Sequence, residues 1–224
     1  MKNIRVAIDG PSGAGKSTIS KIAAHELGFI YIDTGAMYRA VGLKAIRNGL
    51  DTKNDIPQII DLVENISIEI KHGADRQLVF LDGKDVTDKI RTPEVSSAAS
   101  NVSAVPRVRK RLVELQRLLA QTENVIMDGR DIGTHVIPNA EVKIFLTASL
   151  DDRAKRRYDE LVEKGISCEY EDVRRDMRSR DENDSTRECS PLEAAADAIM
   201  TDTSGNSLEQ SVSLIINTIK ERLK

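Results

Sequence analysis

Residues 4–27 read IRVAIDGPSGAGKSTISKIAAHEL: an apolar run, a glycine-rich turn, then an amphipathic stretch. Ile4, Val6, Ala7 and Ile8 have the composition of a buried strand, and Thr18–Leu27 has the periodicity of a helix. Between them, Gly10, Ser12, Gly13, Ala14, Gly15, Lys16, Ser17 and Thr18 form a candidate phosphate loop. Gly10, Gly13 and Gly15 let the backbone curl with its N–H groups inward, and Lys16 can reach β- and γ-phosphate oxygens. Ser17 is the candidate Mg²⁺ ligand through its hydroxyl, and the helix N-terminus favours the anion electrostatically. The competing reading is a glycine-rich turn that binds nothing. The strand before the loop and the helix after it favour a site that moves or splits the phosphates of a nucleoside triphosphate.

The 224 residues suffice for one full-sized core with a small appended unit. Lys and Arg number 33 against 36 Asp and Glu, for a net charge of −3, so no global basic field draws in nucleic acid. Any polyanion site must be local. Cys168 and Cys189 lie in charge-rich surroundings, which fits a reducing compartment, and they form no metal-ligand cluster. No apolar run approaches the ~18 residues of a membrane span, and, with Met1–Arg5 leading directly into the first strand, no leader is expected. The expectation is a cytoplasmic protein without a membrane partner.

Strand and helix patterns alternate. Strands are expected at 5–9, 29–33, 124–128, 142–146 and 198–202, and helices at 16–27, 36–48, 56–64, 107–120, 150–163, 169–180 and 208–223. This order predicts an α/β fold in which a five-stranded, largely parallel sheet is covered by helices. The runs ISIEIK (66–71) and QLVFL (77–81) break the rhythm: a polar bend with Gly73 separates them, and Asp82-Gly83 can turn the chain toward Lys84–Val86. They predict a small antiparallel insert. Pro93 and the small residues 96–103 are expected to connect it to a helix opening at Pro106.

Three further clusters can carry chemistry. In DTGAMYR (33–39), Thr34 is either a hydroxyl ligand or a helix N-cap, and Arg39 offers a fork for an oxyanion; an ordinary helix start is the alternative. DGRD (128–131) falls at the carboxyl end of a buried strand, where open α/β sheets bind ligands. There Asp128 can hold a magnesium-bound water or orient loop groups, Arg130 can grip a phosphate, and Asp131 can accept from a base amino group. Finally, Arg153, Arg156, Arg157, Arg174, Arg175, Arg178, Arg180 and Arg187 crowd two helical stretches among Asp176, Asp181 and Asp184. Phosphoryl transfer uses guanidinium groups this way, although a solvated helix surface has the same composition. His25, His72 and His135 are too dispersed to form a metal site or supply a base.

These motifs resemble one family, the bacterial-type cytidylate kinases, nucleoside monophosphate kinases of the P-loop group. The resemblance runs through IDGPSGAGKST (8–18), DTGAMYRA (33–40), LDGKDVTDKIRTPEVSSAAS (81–100), VPRVR (105–109), MDGRDIGT (127–134), VKIFLTAS (142–149) and RDENDSTRECSPL (180–192). It implies transfer of a phosphoryl group from ATP, bound with Mg²⁺, to CMP or dCMP. It also implies a single kinase domain over 1–224: a core of 1–33, 105–150 and 190–224, a monophosphate-binding region of 34–104 with its insert at about 63–92, and a lid over 151–185. By motif position, Thr34, Arg39 and Arg130 contact the acceptor nucleotide, Ser100, Arg109 and Asp131 read the cytosine edge, and Arg180 and Asp184 meet the acceptor's phosphate and sugar. Lys16, Arg130, Arg153, Arg157 and Arg180 make up the implied catalytic set. A monomer that uses no nucleic acid is expected. Thr34 departs from the serine of many relatives, Ser17 from a common glycine, and Ser185-Thr186 from more basic versions.

Cytosine presents an amino donor at C4 and an acceptor at N3, where uracil presents a carbonyl and a proton. Asp131 suits the amino group, and Arg109 suits N3 or O2. A facing carbonyl would cost about 1–3 kcal/mol, a factor of roughly 5 to 150 against UMP. The rival readings are another P-loop kinase of a small metabolite or nucleoside monophosphate, and a non-catalytic nucleotide switch or nucleic-acid-binding component.

Overall fold

A computed structural model describes residues 3–73, 77–121 and 123–224. The chain opens with β1 (Arg5–Asp9), α1 (Lys16–Leu27) and β2 (Ile30–Asp33). It continues with α2 (Thr34–Arg47), α3 (Ile56–Glu64), β3 (Ile68–His72), β4 (Gln77–Leu81), β5 (Lys84–Asp85), α4 (Pro93–Ser103) and α5 (Pro106–Leu119). It closes with β6 (Val125–Gly129), a π-helical turn at Ile132–Val136, β7 (Val142–Thr147), α6 (Leu150–Glu163), α7 (Tyr170–Thr186), β8 (Ile199–Asp202) and α8 (Leu208–Arg222). The chain divides into two compact units, one of residues 1–31 and 123–224 and the other of residues 32–122.

The first unit is built on the expected five-stranded parallel sheet, in the order β2-β6-β1-β7-β8. β1 runs parallel to both β6 and β7, with Ile8 opposite Asp128 on one side and Ile144 on the other. Every residue of β6 is buried, which explains why VIM (125–127) is a continuous apolar run rather than an alternation. Val6, Ile8, Ile126, Ile144 and Leu146 pack with Ile19 and Ala23 of α1 and with Val212, Ile215 and Ile219 of α8. Since side chains alternate along a strand, Val6 and Ile8 enter that core while Asp9 points away from it. A Ser207–Gln210 capping box starts α8.

In the second unit, α2 is the spine of a core shared with α3, α4, α5 and the insert: Met37, Val41, Ile59, Val79, Val102 and Leu112 are among its buried members. The insert is the expected antiparallel sheet, order β3-β4-β5, with Ile70 opposite Val79. Asp82 (φ 49°) and Gly83 (φ 77°) make the turn between β4 and β5, as the Asp-Gly pair predicts. Residues 74–76 of the expected bend near Gly73 lie outside the described residues. β3 begins at Ile68 rather than at 66, because Ile66 N–H closes the end of α3 on Val63 O and its side chain joins the core.

The largest correction is α4, expected as a connecting stretch and found as a helix. Thr92 Oγ1 accepts from Val95 N (3.2 Å) as its N-cap, and Pro93 occupies the first turn, where its missing N–H costs nothing. Its small residues are a packing device. A Cβ added at Gly42 of α2 would fall 3.0 Å from Ala99 N and 3.1 Å from Ala98 Cβ, so only small side chains let the two helices approach this closely. α7 also runs six residues past its expected end at Arg180. Cys168 and Cys189 are free thiols. Among the described residues, no helix is long and apolar enough to cross a membrane.

Candidate active site

The loop between β1 and α1 bends as its glycines dictate. Gly10 has φ 148°, and a Cβ there would lie 1.9 Å from Leu146 O, so β7 leaves room for no side chain. Gly15 (φ 86°) turns the chain left-handed into α1, whose first N–H groups have no partner within the helix. Lys16 follows at once and is buried, its Nζ donating to Pro11 O at 2.7 Å. The loop thus curls over its own lysine. Burial, and then the nearby Arg130 guanidinium, push Lys16 down to about 7 against the opposing pull of Asp128, Asp184 and Asp9.

Two buried aspartates flank the loop. Asp128, at the end of β6, accepts from Ser17 Oγ and Tyr31 Oη, both at 2.9 Å. Asp9, at the end of β1, accepts from Ile132 N (2.8 Å) and Gly133 N (2.7 Å). Burial pushes Asp9 up to about 6 despite those two bonds. Neither Asp9 nor Tyr31 stands out in the sequence, because each meets its partner nearly a hundred or more residues away. Among the described residues, no group of three or more His, Cys, Asp or Glu side chains is assembled to hold a metal ion.

The arginines sort into distinct states. Arg130 Nε donates to Asp184 Oδ2 at 2.7 Å; burial opposes its charge, but Asp184, with Asp128 and Asp181, more than compensates and raises its affinity for the proton. Arg187, one of the crowded arginines but outside the implied catalytic and CMP-binding sets, has an almost fully buried guanidinium 3.5 Å from Asp184 Oδ1 and 3.9 Å from Asp131 Oδ1, with Nε on Ser190 O at 2.6 Å. Its signal was the three-residue spacing from Asp184. Arg153 is committed to the loop: Nη1 reaches Ser12 O (2.9 Å) and Asp181 Oδ2 (2.7 Å), while Nε holds Ala148 O (3.0 Å). Arg157 pairs with Glu160 (2.8 Å). Arg180 differs from all of these. Burial, then Arg157, and further Arg130, push it below the usual guanidinium range, with Asp176 and Asp184 offsetting only part.

In the second unit, Asp33 caps α2 by accepting from Ala36 N at 3.0 Å, so Thr34 is not the N-cap; it is the buried first residue of the helix. Asp33 also holds Arg39 Nη2 at 2.6 Å and stands 3.6 Å from Arg91 Nη2. Burial pushes Asp33 up, but Arg39 and Arg91 outweigh it and hold the carboxyl below the usual range. Arg91 is an addition to the expected set. Gln77 of the insert fixes the same corner, its Oε1 accepting from Asp33 N at 2.9 Å. Arg109 is buried, with Nη1 on Ser103 O (3.1 Å) and its guanidinium 5.4 Å from the Tyr38 ring centroid. Ser100 lies on α4, half-buried, one turn before Ser103, whose Oγ donates to Ser100 O at 2.8 Å. Lys16, Ser17, Arg130, Asp131, Arg153, Arg157, Arg180 and Asp184 therefore belong to the first unit, and Thr34, Arg39, Ser100 and Arg109 to the second.

The chain is 53% identical over 224 residues to a cytidylate kinase of Caldicellulosiruptor bescii, covering 100% of this chain and 99% of that one. It is 52% identical over 221 residues to a cytidylate kinase of Lactobacillus gasseri, covering 99% and 96%. A crystal structure of an uncharacterized protein from Eubacterium ventriosum resembles it over 98% of this chain and 99% of that one, with TM-score 0.52 and 14% identity, a likeness of fold alone. The family model for cytidylate kinase matches residues 6–221, from β1 to the last turn of α8. With the phosphate loop, both sheets and the arginine-bearing helices all inside that span, the chain belongs to the cytidylate kinase family.

Proposed function

We propose that this chain transfers the γ-phosphoryl group of ATP to CMP or dCMP, giving ADP and CDP or dCDP. The observation that carries the reading is the setting of Lys16: a lysine buried at the first turn of a helix behind a glycine loop, with a carbonyl of its own loop as hydrogen-bond partner. Residues 10 and 12–18 hold the ATP phosphates through backbone N–H groups, and Lys16 meets the β- and γ-oxygens. Arg130, Arg153, Arg157 and Arg180 neutralise charge that builds on the moving group; Arg180, poised among like charges, gains most from its arrival. The acceptor phosphate is already ionised near neutral pH, so no histidine base is required.

On the acceptor side, Thr34 and Arg39 contact the monophosphate together with Arg130. Ser100, Arg109 and Asp131 read cytosine, and Arg180 and Asp184 meet the phosphate and sugar. The Ser17 hydroxyl and the Asp128 carboxylate, 2.9 Å apart, are hard oxygen donors that suit Mg²⁺, with Asp128 acting through water. Mg²⁺ bound with ATP supplies charge neutralisation on the phosphate oxygens. We assign the lid to residues 151–185 and the monophosphate-binding region to 34–104, its insert at about 63–92, within one kinase domain acting as a cytoplasmic monomer.

A coupled assay with ATP and CMP, dCMP, UMP or AMP tests the reading. Turnover with CMP and dCMP is expected, with UMP roughly 5- to 150-fold poorer. Equal efficiency with UMP, or ATP consumption without an acceptor, would reject it.

A further inference from the structure

Asp9 lies outside the set of residues assigned to either nucleotide, yet it is one of the least comfortable groups in the protein. It ends β1 directly before Gly10 and is only 4% exposed, and burial holds its carboxyl far above the usual value. Asp131 and Lys16 face it with opposite effects, the first raising and the second lowering its proton affinity. An ionisable group kept at such cost is poor scaffolding. What it does is geometric. The turn Ile132–Val136 starts with N–H groups that have no acceptor inside the turn, and the residue in the N-cap position is Asp131. A cap-position aspartate ordinarily folds its side chain back onto those N–H groups, but Asp131 makes no such bond. Asp9 supplies both acceptors from the neighbouring strand, at 2.8 Å on Ile132 N and 2.7 Å on Gly133 N. Asp131 instead lies with Oδ1 3.9 Å from Arg187, and its carbonyl closes the turn on His135 and Val136.

We propose that Asp9 is a positioning residue for base recognition: by capping the 132–136 turn in place of Asp131, it directs the Asp131 carboxylate toward the acceptor base and holds that carboxylate in fixed register with the phosphate loop. A Cβ at Gly133 would make only an ordinary 3.4 Å contact with Asp9 Oδ2 and would press on the flexible Lys143 side chain at 3.2 Å from Cδ, so the capping geometry is set by Asp9 itself. The proposal deepens the cytidylate kinase reading and rests on it.

The test is Asp9→Asn in the purified full-length chain, read as the ratio of kcat/KM for CMP to that for UMP. Asparagine keeps the volume but turns one acceptor into an amide donor facing a backbone N–H, and Asp131 then becomes the nearest carboxylate able to cap its own turn. The CMP-over-UMP ratio should fall about tenfold, with KM for CMP rising and KM for ATP changing less than about threefold. A merely structural role would lower active protein equally for both acceptors and leave the ratio untouched; that result would overturn the proposal. Should the asparagine variant not fold, Asp9→Glu keeps the charge but displaces both acceptor oxygens by one methylene and should move the ratio the same way by a smaller factor; an unchanged ratio there overturns the proposal equally. A wild-type chain that prefers UMP or ignores both acceptors would instead reject the functional reading, which separates the two failures.

Discussion

The surroundings of the phosphate loop and the start of α2 are both dense in charge, and they are built oppositely. At α2, the buried Asp33 is satisfied on every side: it caps the helix, holds Arg39 and Arg91, and is more acidic for it. Around the loop, burial and like charge leave Lys16 and Arg180 weaker cations than usual and Asp9 a weaker acid. The start of α2 carries its own counter-charges, whereas the loop surroundings leave theirs to be completed, on the proposed function, by a nucleotide's phosphates. Faults around the loop should therefore show in catalysis, and faults at α2 in stability as well.

The sharpest way to break this contrast is Arg180→Ala. Removing a cation crowded by Arg157 and Arg130 should leave the ligand-free protein as stable as before or more so, while phosphoryl transfer falls by about 10²–10³-fold. Thermal melting and steady-state kinetics read both; a large loss of stability would show that Arg180 is structural.

Asp33→Asn should behave in the reverse sense. It leaves two guanidinium groups facing a neutral amide and should cost about 2 kcal/mol, less than for a fully buried pair because Arg91 is half exposed. Since the folded-state value of Asp33 lies below its unfolded value, its contribution is full above about pH 4 and is lost as pH falls through the folded value. Denaturant melts should accordingly show less acid sensitivity in the variant over that window. The smallest expected effect is Gly42→Ala, where the helix-propensity gain of about 1 kcal/mol opposes the crowding of Ala98 and Ala99. A net loss of about 1 kcal/mol with kcat unchanged is expected; a gain would show that α4 yields easily.

The same contrast explains what was legible from sequence. The phosphate loop, its lysine and its flanking strand lie within a couple of dozen residues, so spacing alone conveyed their geometry. α4 was hidden because its small residues make sense only opposite Gly42, some fifty positions earlier, and periodicity sees only apolar bulk. Thr34 and Asp33 compete for the same capping position, and a carboxylate that can also hold Arg39 wins it. Arg91, Arg187 and Asp9 escaped for a third reason. Each is defined by a charge or N–H brought to it by folding, and a list of arginines or aspartates does not distinguish the committed from the exposed.

The most direct measurement is the proton balance of ATP binding. With Lys16 pushed down to about 7 in the ligand-free protein, most molecules hold it neutral at pH 8, and a bound triphosphate must restore its charge. Calorimetric titration of ATP at pH 8 in two buffers of different ionisation enthalpy should show net proton uptake, shrinking toward zero as the pH is lowered below about 7. Binding heats that do not depend on the buffer would mean that Lys16 is already charged before ATP arrives, and would contradict the picture of a phosphate site left electrically incomplete.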